Sequence, residues 1–287
     1  MNDRKHRADQ GSANTPINAE AHALTLAVEV ASAWHRGGGA DQSEVPLGIV
    51  ATIAAAGLLV GRADDVAAGM LSAAPDGFVD IARSVWAVTL SRRPDLAQSV
   101  YPLLGWLFAA NDQERRIKAT ADAALRIGQL KLTATERRFD CDVLGPVLGA
   151  LRSRTATKVN AQMYTPGDIA CALTAVALDD LKPGQSFCDV AVGTGGLFRA
   201  AACVVRSRGL NLADMSWFGA DVDELAIAAA AVNSLIWSLG SKVFFYAGDV
   251  LAHPHWAEEA CSRRARFLEE VDGLSSGLKA LDFLRRL

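Results

Sequence analysis

Asp189 closes a short apolar run, Ser186 to Val190, and is followed by Gly193-Thr194-Gly195-Gly196 and then by a helical stretch from Leu197 to about Arg208. A carboxylate in that position points into the crevice beyond the carboxyl ends of a parallel sheet, where α/β proteins bind their ligands. The glycines let the chain turn sharply and bring its backbone close to a ligand with no Cβ in the way. The free N–H groups and partial positive charge at the start of the next helix suit an amino-acid carboxylate. About one helix upstream stands a second short string, Tyr164-Thr165-Pro166. A dinucleotide fold is the obvious rival, but Arg199 occupies the place of its third glycine. Asp221 follows Gly193 by 28 residues, where the ribose acid of that fold is expected after about 20. A glycine turn in some other α/β protein stays open on the loop alone.

The elements that must position these residues can be read from the pattern. Ser186 to Val190, Met215 to Ala220 and Lys242 to Ala247 are short apolar runs suited to buried parallel strands. Helical stretches at Leu197 to Arg208 and Glu224 to Leu239 separate them, and another, Asp168 to Leu181, precedes the first. Strand and helix in alternation predict a parallel α/β sheet. Residues 20 to about 155 instead read as helices throughout. The expected spans are Glu20 to His35, Pro46 to Arg62, a helix from Pro75-Asp76 stopping before Pro94, Leu96 to Ala110, and Asp112 to Ile127, ended by Gly128. After Asp249 the chain predicts a turn at His253-Pro254-His255, a helix from Trp256, a break at Gly273 to Gly277 and a short final helix. The fold class is therefore α/β, an all-α N-terminal domain followed by a short parallel sheet. Its divisions fall at 1–19 (a disordered tail), 20–155 (helical) and 156–287 (sheet-bearing).

Four motifs in order carry a family resemblance. Tyr164-Thr165-Pro166 resembles the (F/Y)-T-P motif of adenine-specific DNA methylases, notably type I restriction-modification methylation subunits. Asp189 to Gly196 resembles their D-P-A-C-G-[ST]-G-G loop, with Val190 and Val192 in place of its Pro and Cys. Phe218 to Asp223 resembles the next strand and its acid, followed by an Ala-rich helix ending at Asn233. Gly248-Asp249-Val250-Leu251 resembles G-D-[ST]-L, and Asp142-Val-Leu-Gly145 resembles an upstream D-L-L-G. The resemblance implies a Rossmann-like methyltransferase sheet and S-adenosylmethionine as cofactor. Tyr164, Thr165 and Pro166 would flank its methionine portion, and Asp189 would hold its ammonium. Gly193, Thr194, Gly195 and Gly196 would form the loop under its carboxylate and ribose. Asp221 would accept from the ribose hydroxyls, and Asp249 from the adenine amine.

Each position also has a plainer role. Thr165 could cap a helix that Pro166 begins, and Asp221 and Asp249 could cap helices or turns. Asp223 is expected to cap the helix that follows it. The family's Asn/Asp-Pro-Pro-aromatic tetrad, which grips the base to be methylated, occurs nowhere in the 287 residues. No catalytic residue is therefore assigned, and an acceptor site would come from a partner chain. A non-catalytic regulatory or assembly subunit derived from a methylase is the alternative.

Composition narrows the partners. With 51% hydrophobic residues, 21% charged and a net charge of −3, no strong global charge points to nucleic acid or to a membrane surface. DNA contact would come from a partner or from the helical domain, where Asp112 to Arg138 holds seven bases against four acids. That segment is either a solvated helix face or a phosphate-contacting one. Three strands leave the first with an open edge, to be covered by helices, a second copy or another protein. The five cysteines show no C-x-x-C spacing and read as small core residues in a reducing cytoplasm. Val45 to Gly61 carries no charge but is Ala/Gly-rich, and is expected to be a buried core helix with no membrane span. His253 and His255 at i, i+2 make a poor metal pair, and no metal is expected.

Overall fold

The computed structural model describes residues 18–38, 42–108, 113–152 and 180–285, with Thr174, Val176 and Leu178, and side chains as far as Ser275. Tyr164-Thr165-Pro166 and nearly all of the helix expected over Asp168 to Leu181 lie outside the described residues.

Eight α-helices among the described residues precede the sheet. Helix α1 (Ala19–Arg36) begins where the Asn18 side chain accepts the Glu20 N–H at 3.0 Å, a standard N-cap. Helix α2 (Glu44–Val60) is apolar on every side and is buried from Val45 to Gly57, as the core-helix expectation requires. Gly61 stops it in the left-handed region, at φ 71°. No helix among the described residues is long and apolar enough to cross a membrane. Helix α3 (Ala63–Ser72), which the sequence pattern did not predict, has only Val66 and Met70 buried. Helix α4 (Pro75–Arg92) starts on Pro75 and lays Phe78, Val79, Ala82 and Trp86 into the core, where the Trp86 indole donates to Thr52 Oγ1 at 2.8 Å.

The helix expected over Leu96 to Ala110 is instead broken. Helix α5 (Ala97–Val100) is one turn long and is flanked by 3₁₀ turns at Pro94–Leu96, Tyr101–Leu103 and Gly105–Leu107. Pro102 brings no N–H, and Gly105 carries a high entropic cost in a helix, so the ladder tightens into short turns. Regularity returns with α6 (Glu114–Arg126), α7 (Gln129–Thr133) and α8 (Leu144–Leu151). Gly128, at φ 87°, makes the corner between α6 and α7.

The sheet has three strands, β1 (Ser186–Asp189), β2 (Ser216–Asp221) and β3 (Val243–Ala247), all parallel and in that order. Helix α9 (Gly196–Ser207) connects the first pair and α10 (Glu224–Ile236) the second. Right-handed crossovers stepping the same way put both helices on one face of the sheet. That face is packed by Phe198 against Trp217 and Phe245, at ring separations of 5.4 and 6.5 Å. The other face is closed over β3 by α11 (Trp256–Arg285), through Trp256 and Ala260 on Ala220 and Tyr246. The break expected at Gly273 to Gly277 is absent. Glycine in a helix costs about 1 kcal/mol relative to alanine but forbids nothing, and open space surrounds Gly273.

One continuous buried core joins the helices to the sheet, from Ala23 through Trp86 and Leu144 to Trp217 and Trp237. Strand β1 has one neighbour among the described strands, with Cys188 exposed and Val190 55% accessible. The cysteines therefore divide rather than all serving as core. Cys141 is buried, Cys203 and Cys261 are half-buried, Cys188 is exposed, and Cys171 lies outside the described residues.

Candidate ligand site at the strand ends

The parallel register carries Asp189, Asp221 and the Gly248-Asp249 turn to the same end of the sheet. Asp189 pairs with Gly219, and Asp221 with Ala247. Three backbone links draw the turns together: Val192 N–H to the Ala220 carbonyl at 2.9 Å, Gly248 N–H to the Asp221 carbonyl at 2.8 Å, and Gly195 N–H to the Val192 carbonyl at 2.8 Å. The Asp221 carboxylate completes the frame. Its Oδ2 accepts the Gly193 N–H at 2.9 Å and its Oδ1 the Asp223 N–H at 3.0 Å. A carboxylate offers about four lone-pair sites, so two remain for a ligand's hydroxyls. Asp249 accepts the Leu251 N–H at 2.9 Å, the turn role read as its plainer alternative, with acceptor capacity to spare. Asp223 caps α10 by accepting the Leu225 N–H at 3.1 Å, as expected.

Asp189 is the unsettled member. Its Oδ1 accepts one N–H, from Ala191 at 3.0 Å. Burial, opposed by that hydrogen bond and reinforced by the Asp221 charge, holds its carboxyl above the usual range. A cationic group placed beside it would offset both the burial and the repulsion.

The glycine loop is shaped by its neighbours. Gly195 sits at φ 97°, and a Cβ there would meet the Trp237 ring at 2.9 Å, so a side chain is excluded twice over. Helix α9 starts directly after it, at Gly196. Thr194 is turned inward at 2% exposure, its Oγ1 donating to Asp142 Oδ2 at 2.5 Å. Asn233 Nδ2 donates both to Asp142 Oδ1 and to the Thr194 carbonyl, each at 2.8 Å. The Gly145 N–H also donates to Asp142 Oδ1, at 3.1 Å. Arg199 faces away from the crevice, its guanidinium donating to the Phe139 carbonyl at 3.2 Å and lying 3.6 Å from Glu20.

Sequence reasoning assigned no role to several residues found here. Val190, Val222 and Leu251 follow the three strand-end acids and are 55%, 74% and 91% exposed, apolar groups left bare beside the crevice. The signal was an apolar residue one or two places after each acid. Asp142 and Asn233 were noted within motifs but given no partner; a lone amide in an Ala-rich helix was the available sign. Arg152, which pairs with Asp223 Oδ2, had no signal at all. The basic stretch of α6 and beyond is largely engaged: Arg116 lies over the Trp34 ring, Lys118 pairs with Asp122, and Arg138 lies over Phe139. Arg115, Arg126 and Lys131 are exposed. His253-Pro254-His255 forms the turn expected before α11, and no cluster of metal-ligating side chains occurs among the described residues.

The model of the N-6 DNA methylase family matches residues 141–266. No curated protein matches the chain. Among solved structures, the type I restriction-modification methyltransferase subunit from Streptococcus thermophilus is similar at 16% identity and a TM-score of 0.46, over 80% of this chain. The chain spans 59% of that subunit's length. Residues 141–266, from the Asp142 network through all three strand-end acids to the start of α11, thus carry the pattern of the N-6 DNA methylase family.

Proposed function

We propose that the chain binds S-adenosylmethionine at the carboxyl ends of β1, β2 and β3 and serves DNA adenine N-methylation of the restriction-modification kind. The observation that carries this is the placement of Asp189, Asp221 and the Gly248-Asp249 turn at one end of the parallel sheet, with the Gly193 loop bonded to Asp221. Asp189 would pair with the cofactor's ammonium, and the glycine loop at the start of α9 would receive its carboxylate. Asp221 would take the ribose hydroxyls and Asp249 the adenine amine, with Val222 and Leu251 as apolar walls for the purine. Tyr164, Thr165 and Pro166 would close over the methionine end. Bound there, S-adenosylmethionine supplies an electrophilic methyl group. The helical unit, 20–155, would back the cofactor unit, 156–287, in the reducing cytoplasm.

Calorimetric titration with S-adenosylmethionine tests this directly. Wild type is expected to bind, and Asp221→Ala to bind about a hundredfold more weakly, equivalent to about 2.7 kcal/mol. A folded wild-type protein giving no heat would sink the proposal. Methyl transfer is a separate matter, since the base-gripping tetrad is absent from these residues. An acceptor site would come from outside them, a partner chain being one source, and radiolabelled transfer to DNA by the isolated chain would contradict that. The same absence favours a second role, as a regulatory or assembly subunit of a methylase. That role predicts co-purification with a methylase and no transfer activity that either protein gains from the other.

A further inference from the structure

We infer that α8 is a brace for the cofactor site, with Asp142 at its leading end and Arg152 at its trailing end acting as positioning residues for the two turns that would touch the ligand. Asp142 precedes α8 and holds the glycine loop: it takes the Thr194 hydroxyl, while Asn233, which it also binds, grips the Thr194 carbonyl. Arg152 follows α8 and holds the second turn through its ion pair with Asp223, whose own N–H is bonded to Asp221. An eight-residue helix is a rod of roughly 12 Å. One rigid element therefore sets the separation between the loop and the ribose acid.

The rod itself is firmly seated. Leu144, Gly145, Val147, Leu148 and Leu151 are buried, and α8 packs against α1 and α10. Gly145 has no room for a side chain, because a Cβ there would collide with Asp142 and stand 2.7 Å from Thr194 Oγ1. The Asp142 carboxylate is half-buried and takes three donors among the described residues, so Thr194, Gly145 and Asn233 each have a fixed partner. The Asn233 carbonyl oxygen is buried with no partner among the described residues, where the amide is held from its nitrogen. The consequence is that ligand affinity depends on the helical half even though no residue of α8 need touch the ligand. That consequence rests on the proposed cofactor, whereas the stiffness of the turns can be read without it.

Two measurements on the full chain test the brace. Thr194→Val removes the hydroxyl donor at nearly constant volume, and Arg152→Ala removes the second tie. Amide hydrogen exchange without cofactor should quicken about tenfold at 193–196 in Thr194→Val and at 221–223 in Arg152→Ala, with protection in α2 and α4 unchanged. Affinity for S-adenosylmethionine should fall about tenfold in each, or about 1.4 kcal/mol. Thr194→Ser, which keeps the hydroxyl, should restore both. Unchanged exchange at both turns would overturn the brace, as would loosening spread evenly through α2 and α4. If wild type takes up no S-adenosylmethionine, the proposed function falls and the exchange data alone decide the brace.

Discussion

Asp142 and Asp189 are both carboxyls pushed above their ordinary range mainly by burial, and they differ in what meets them. Asp142 is half-buried, and a hydroxyl, a backbone N–H and an amide all donate to it. Asp189, also half-buried, has one backbone donor among the described residues and the repulsion of Asp221. Burying a charge is costly unless donors or an opposite charge compensate it. The first acid has its hydrogen bonds met from within the fold, though they do not outweigh the effect of burial, and it acts as structure. The second is under-compensated, and a cation from outside would complete it. The contrast teaches that an unfavourable environment marks a ligand site only where the fold leaves the compensation undone.

The largest expected effect breaks the compensated member. Asp142→Leu leaves the Thr194 hydroxyl, the Gly145 N–H and an Asn233 donor without a partner in the core. Each stranded donor costs about 1–3 kcal/mol, so thermal unfolding should show a loss of at least about 3 kcal/mol. A loss within about 0.5 kcal/mol would mean the network contributes little. Next comes Gly195→Ala, which forces a side chain onto a left-handed backbone and into Trp237. Strain of that kind costs about 1–3 kcal/mol, read as a lower denaturation midpoint, and cofactor affinity should drop with it.

Asp189→Asn sharpens the comparison, because its two effects should have opposite signs. The amide keeps the Ala191 hydrogen bond and sheds the half-buried charge, so the melting temperature at pH 7 should be at or above that of wild type. Affinity for S-adenosylmethionine should fall at least about tenfold, or 1.4 kcal/mol.

The smallest effect is in the pH dependence. The folded pKa of each acid lies above its unfolded value, taken as 3.8, so the folded state keeps the proton that the unfolded state has lost. Stability should decline as pH rises from about 4 through the raised values. Asp189→Asn should flatten its share of that slope in denaturant titrations. Cofactor affinity should run the other way, rising with pH as Asp189 ionises.

Much of the geometry of the candidate site was legible in the sequence, because strand-end acids and a glycine loop are local features. The three strands were found within a residue or so of their ends, and the caps at Asp223 and Gly128 were read from residue type alone. Other features resisted. The broken segment after Leu96 reflects Pro102 and Gly105 acting within an apolar run that looked helical, while Gly273 sits inside an unbroken helix because nothing crowds it. Asp142 and Thr194 meet across 52 residues, and Arg152 and Asp223 across 71. Such pairings arise only when α8 settles against α10, and no periodicity encodes them. Exposed Val222 and Leu251 were hidden for the opposite reason, since an apolar residue is ordinarily read as core.

The central claim is that Asp189 is left for a ligand's cation while Asp142 is satisfied by the fold. Calorimetric titration of S-adenosylmethionine into wild type and Asp189→Asn, each with its melting temperature recorded, tests it most directly. The account predicts a variant that melts at or above wild type and binds at least about tenfold more weakly. Equal affinity in the two proteins, or a wild-type protein that is folded and binds nothing, would contradict it.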